Sequence, residues 1–260
     1  PRSTPSNSSA ASDVYKRQDR IVYEITNYES LCSAVDVLGS STNIYDYYVA
    51  CGFAGFWPER FSSIADSILN NIISAPKVEA YGVDLPKSRI TGDALLHSMF
   101  DLQPNARLEE LSRWVYLAHE ARYNATGKYT AFGEGNTGLN DPSYVYEWVI
   151  LPDGRTWIIK DHAGNDVNIA PIIYLKIALG FHAIYHTEYT EQMVNYINSS
   201  LSDFTYGYMD GVDESGRLVG TIIDKTNGLI ISAAKYAVQR IRSSLDLSSY
   251  PYPFISQGCV

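Results

Sequence analysis

Cysteine is scarce in this chain: three residues in 260, at Cys32, Cys51 and Cys259. An odd, scattered set is neither a disulfide framework nor a zinc-ligand spacing. Cys51 lies in an apolar run and is expected to be a buried thiol. No run of 18 apolar residues occurs, so no membrane-spanning helix is expected. There is no basic run, and the formal net charge of −9 argues against sequence-independent nucleic-acid binding. No Walker loop is present, and no Ser-His-Asp order stands out. Gly133-x-Gly135-x-x-Gly138 matches the dinucleotide pattern by letter, but it precedes Tyr144 and not a helix, so it fails its structural context. No cofactor and no metal are expected.

What is present points to a folded core. The chain is 45% hydrophobic and 19% charged, a globular and not a disordered composition. Its length suits one large domain or two small ones. Tyrosine reaches 21 residues. A tyrosine offers an apolar face and one hydroxyl, which suits wet ligands such as glycans, although the commoner place for any single tyrosine is the edge of a core. Residues 1–18 are Ser-rich, without apolar periodicity and without the apolar stretch of a signal peptide. Their end resembles translated adapter sequence. They are expected to be non-native and to pack against nothing, leaving residues 19–260 as a single domain truncated at its N-terminus.

Along that domain the pattern is mostly helical. Asn27 can cap a helix running to Leu38, and another follows Thr42. Trp57-Pro58 starts a third, where Phe61, Ile64, Ala65, Ile68, Leu69, Ile72 and Ile73 keep a continuous i, i+3, i+4 stripe. Residues 86–91 read as a loop, and Thr91 caps a helix to about Leu102. After Pro104, Leu108, Leu111, Val115 and Ala118 form the next stripe, with Gly127 at its exit. Residues 125–169 change character: 144–151 and 156–160 flank Pro152-Asp153-Gly154 as a β-hairpin. Residues 172–185 are apolar nearly all round, which implies a helix buried on most sides. A helix follows Thr187, then a Gly- and Asp-rich insertion over 204–224, then a last helix with Leu229, Ile230, Ala233, Ala237 and Ile241. The predicted fold class is mainly α: an (α/α) toroid-like array of helical hairpins with a small β-hairpin insertion. Phe61, Ile68, Leu111, Ile177, Phe181 and Ile230 are its expected core. The insertions 125–169 and 204–224 are expected to meet at one end of the array.

The site is expected in those insertions. Residues 131–138 and 144–148 set Glu134 and Glu147 among glycines and aromatic rings. Glycines allow close approach to a ligand, rings offer faces to sugars, and carboxylates bind hydroxyls or move protons. Glu134, between Gly133 and Gly135, is either ligand-accessible or a turn carboxylate pairing with Lys128 or a backbone N–H. Strand alternation puts Val145, Glu147 and Val149 on one face and Tyr144, Tyr146 and Trp148 on the other. Glu147 is then either paired or cleft-facing. A glycosidase needs two carboxylates about 5–9.5 Å apart, so Asp210, Asp213 or Glu214 is a candidate partner, the alternative being a solvated loop. Glu134, Glu147 and Asp210 are the catalytic candidates; Asn136, Tyr144, Tyr146, Trp148, Tyr208, Asp213 and Asn227 are the substrate-binding ones. Asp224, Thr226 and Asn227 also suit a helix cap. Residues 161–166 have the oxygen ligands of a calcium loop without matching an EF-hand. His182 on an apolar helix reads as a core histidine.

Several motifs in the C-terminal half carry a family resemblance. Tyr174-Leu175-Lys176-Ile177-Ala178-Leu179-Gly180-Phe181-His182-Ala183, Glu188-Tyr189-Thr190, Gly207-Tyr208-Met209-Asp210-Gly211-Val212 and Thr226-Asn227-Gly228-Leu229-Ile230 are similar in order and spacing to bacterial proteins of domain-of-unknown-function family 3131. The resemblance covers residues 170–242 well and 42–120 loosely. The chain departs from it at His182, where a tryptophan is usual, and at Asp224-Lys225. That family resembles the six-hairpin (α/α) glycosidases, and its members look extracytoplasmic. The resemblance therefore implies a carbohydrate-active, glycosidase-like protein with a poly- or oligosaccharide as partner. The alternative is a non-catalytic glycan-binding or cell-envelope scaffold.

Overall fold

The computed structural model describes residues 38–102, 104–198, 202–203 and 205–244. The expectations for residues 1–18, the helix capped by Asn27, Cys32 and Cys259 lie outside them.

The chain opens with a helical hairpin. α1 (Ile44–Ala54) starts where the Asn43 side chain accepts from Tyr45 N at 3.2 Å, and it buries Ile44, Tyr47 and Ala50. Cys51, one turn on, is a free, half-buried thiol. α2 (Pro58–Ser74) has proline in its first turn and buries Phe61, Ile64, Ala65, Ile68, Leu69 and Ile72, the stripe that the 3.6-residue period demands. β1 (Lys77–Ala80) and β2 (Val83–Pro86) then pair antiparallel. They turn through Tyr81 and Gly82, both at positive φ, as a two-residue hairpin of the primed type requires.

α3 (Gly92–Asp101) and α4 (Ala106–Thr126) follow. Asn105 caps α4 by accepting from Arg107 N and Leu108 N, and left-handed Gly127 closes it. The next sheet has the order β3-β4-β5, from Glu134–Asn136, Tyr144–Ile150 and Thr156–Lys160, all antiparallel. β6 (Ile172–Tyr174) runs directly into α5 (Leu175–Tyr185), and α6 (Glu188–Asn198) returns. β7 (Ser202–Asp203), β8 (Gly207–Asp213) and β9 (Leu218–Ile222) complete the third sheet, in which β8 pairs with β6, β7 and β9. α7 (Asp224–Ser244) ends the described chain and packs on α5 and α3.

The fold class differs from the expectation. Over the described residues the protein is mixed α/β, 51% helix and 22% strand in three small sheets, and not a mainly-α toroid of helical hairpins. The reason lies in the connections. A β-hairpin separates α2 from α3, and a whole sheet plus β6 separates α4 from α5. The segments read as insertions spend their backbone hydrogen bonds on inter-strand ladders. One apolar cluster nevertheless runs from Ile44 to Leu229 and includes Phe61, Ile68, Leu111, Ile177 and Phe181. Ile230 is only half-buried; Leu229, one residue earlier, is the α7 side chain that enters the core.

The 125–169 and 207–222 segments do meet. Asn136 reaches Asp210, and Arg217 Nη2 donates to Thr137 O at 3.0 Å, while Ala131 bridges Ile173 of β6, the strand that pairs with β8.

Candidate functional site

Three helices begin at the place where these sheets meet. Asp93, Lys176 and Lys225 are the second residues of α3, α5 and α7. Lys176 Nζ lies 2.8 Å from Asp93 Oδ1, and Lys225 Nζ lies 3.4 Å from the same oxygen. Asp93 and Lys176 are fully buried. A cation at a helix N-terminus opposes the helix dipole, so both lysines depend on the carboxylate that joins them. Burial alone would push the Asp93 carboxyl up; Lys176 and Lys225 outweigh it and hold the group below the usual carboxylate range.

This cluster grips Glu134 at every polar point. Asp93 Oδ2 accepts from Glu134 N at 2.6 Å, Lys176 Nζ donates to Glu134 O at 2.6 Å, and Lys225 pairs with the Glu134 carboxylate. The flanking glycines are explained by the same packing. A Cβ on Gly133 would sit 2.4 Å from Asp93 Oδ2, and one on Gly135 would sit 2.6 Å from Tyr174 Cε1. They admit the protein's own side chains, whereas the sequence had suggested close approach of a ligand.

Strand register decides what shares a face with Glu134. Glu134 lies opposite Tyr146 and Asn136 opposite Tyr144, and directly opposed residues project to the same side. Glu134, Asn136, Tyr144 and Tyr146 therefore form one surface. The Tyr144 and Tyr146 rings meet edge to face at 5.5 Å, and Tyr146 stacks on Trp148 at 6.2 Å. Trp148 itself is covered by Tyr45 and by the Arg89 guanidinium. Burial pushes the Tyr144 hydroxyl far up, with Asp93, Tyr146 and Asp210 adding to the effect, so it stays a proton-bearing donor. Asp210 is fully buried. Its Oδ2 accepts from Asn136 Nδ2 at 3.0 Å, and its Oδ1 accepts from the Thr226 hydroxyl. Thus Glu134, Asn136, Tyr144, Tyr146 and Asp210 come together, with Lys225 at their edge.

Other expected site residues go elsewhere. Glu147 alternates onto the opposite face of β4, so the common cleft for Glu134 and Glu147 does not form. It is fully buried, and its Oε1 accepts from Ile172 N at 2.7 Å. Burial drives its carboxyl well up, against the Ile172 and Gly133 N–H groups and Arg122, with Glu214 adding to the rise. Glu214 pairs with Arg122 at 2.6 Å and Lys128 at 3.4 Å, so Lys128 serves Glu214 and not Glu134. Asp213 accepts from Ser215 N, Ser215 Oγ and Arg217 N, and it pairs with Arg217 Nε, which makes it the anchor of the β8–β9 turn. Asn227 clamps Tyr208 through both its N–H and its C=O, tying α7 to β8; the Tyr208 side chain is half-buried.

Two further readings resolve into structure. Asp161 accepts from Ala163 N and Asn165 N, while Asp166 pairs with Arg155 and Lys160, so residues 161–166 form a self-satisfied loop. His182 Nδ1 lies 3.0 Å from Thr190 Oγ1. Among the described residues no group of three His, Cys, Asp or Glu is arranged to hold a metal. An open depression of about 750 Å³ lined by Gly39, Asn71, Pro76, Lys87 and Pro152 shares no residue with the cluster.

The sequence reading missed Asp93, Lys176 and Lys225. Asp93 looks like any acid in a first helical turn. Lys176 carried a usable signal: it is the one charge in an otherwise apolar helix start, and such a charge is rarely buried unless paired.

Residues 45–240 match the family described as "Protein of unknown function (DUF3131)". No curated protein and no solved structure matches the chain. Among the described residues no helix is long and apolar enough to cross a membrane.

Proposed function

We propose that this chain, which belongs to the DUF3131 family, is a carbohydrate-active, glycosidase-like protein that takes a poly- or oligosaccharide along the sheet face bearing Glu134, Asn136, Tyr144 and Tyr146. The observation that carries this reading is the register that sets Glu134 and Asn136 directly against Tyr146 and Tyr144. Aromatic faces beside fixed carboxylates and an amide suit a ligand with apolar ring faces and many hydroxyls.

Within this reading Glu134 and Asp210 are the acid pair. Asn136, two residues along β3 from Glu134, holds Asp210 through its amide, which brings the second carboxylate to the same strand. The ion pair of Glu134 with Lys225 suits it to act as base or nucleophile, with Asp210 as the second carboxyl group. Reducing-sugar release from a panel of glycans tests this. Glu134→Gln and Asp210→Asn should each lower turnover by about 10²–10⁴-fold while the melting temperature holds. Full turnover in both variants would defeat it.

A second reading is a non-catalytic glycan-binding or cell-envelope scaffold. It draws on the internal engagement of both acids, Glu134 by Lys225 and Asp210 by Asn136 and Thr226. Retention on a glycan array without product release would select it. A bacterial, extracytoplasmic setting belongs to both readings. Recovery of the native protein only from the cytoplasmic fraction would oppose that setting.

A further inference from the structure

We propose that the saccharide carries a carboxylate, as a uronic acid does, and that Lys225 selects it by sharing its ammonium between Glu134 and the sugar. The proposal rests on the saccharide reading above and specifies its substrate class.

The two lysines of the cluster are not equivalent. Lys176 is fully buried and doubly committed, to Asp93 Oδ1 at 2.8 Å and to Glu134 O at 2.6 Å. Lys225 is the more distant partner of Asp93, at 3.4 Å, and 27% of its side chain remains exposed. Its close contact is the Glu134 carboxylate, itself at the rim with 10% of its side chain exposed. Lys225 is therefore the cation of the cluster that an arriving anion can reach. It stands in the first turn of α7, where its own N–H is taken by the Asp224 carboxylate, so its ammonium is the group left to meet an arriving carboxylate beside the Tyr144–Tyr146 face.

The test uses titration calorimetry with oligouronates (galacturonate, glucuronate and mannuronate trimers), each paired with its carboxyl-reduced neutral counterpart. The expected result is at least one oligouronate bound about tenfold or more tightly than its reduced form. Lys225→Met should abolish the preference, and Lys225→Arg should keep it. Melting curves of both variants guard against misfolding, and the wild-type preference is read without them. Neutral trimers bound as tightly as uronates, or an unchanged preference in Lys225→Met, would overturn the proposal while the saccharide reading stands. Binding of neither series would overturn both.

Discussion

Replacing Glu147 by glutamine is expected to make stability less dependent on pH and to raise it, relative to wild type, as pH increases. Glu147 is fully buried, one oxygen accepts from Ile172 N, and the other has no hydrogen-bond partner among the described residues. Burial drives the carboxyl well up in the folded state, whereas an unfolded glutamate titrates near pH 4.3. A raised carboxyl means that the folded protein holds a proton the unfolded chain has released. The stability this group contributes is complete below about pH 4.3 and is lost as pH climbs through the folded value. The slope is about 1.4 kcal/mol per pH unit for one proton. Glutamine cannot ionise, so it removes this loss. It also places an amide N–H₂ where the unpartnered oxygen lies, at a cost of about 1–3 kcal/mol if unsatisfied. The variant should therefore be the less stable protein near pH 5 and gain on wild type toward pH 8. Urea unfolding at four pH values between 5 and 8 reads this directly. Parallel stability profiles, or a wild type that gains on the variant with pH, would refute the reasoning. Saccharide binding should survive, since Glu147 lies on the far face of β4 from Glu134.

Two further substitutions probe the cluster. Lys176→Met leaves buried Asp93 with the 3.4 Å contact to Lys225 as its ion pair and the hydrogen bond from Glu134 N, and breaking a buried pair costs about 3–5 kcal/mol; a loss below about 1 kcal/mol in urea unfolding would show that Asp93 does not need Lys176. Gly133→Ala forces a methyl to 2.4 Å from Asp93 Oδ2 and 2.9 Å from Ile177 Cγ1, an overpacking that costs about 1–3 kcal/mol. A melting temperature equal to wild type would contradict that geometry.

Local signals in the sequence determined many of the elements. The stripe of α2, the start of α4 after Pro104 with Gly127 at its exit, and the β4–β5 hairpin at Pro152-Asp153-Gly154 follow from periodicities, caps and turn residues within a few positions of one another. Alternation also separated Glu147 from Tyr144, Tyr146 and Trp148. The tertiary structure decided the rest, because the deciding contacts are long-range. β6 finds β8 across the whole of α5 and α6, and strands of three residues carry too few side chains to announce themselves by period. The face shared by Glu134 depends on its pairing with Tyr146, a register that a slip of one residue would invert. Asp93 and Lys225 each look like an ordinary residue of a first helical turn, and Lys176 stands out only as a lone charge on an apolar helix start. Only the convergence of three helix starts makes them one charged cluster around Glu134.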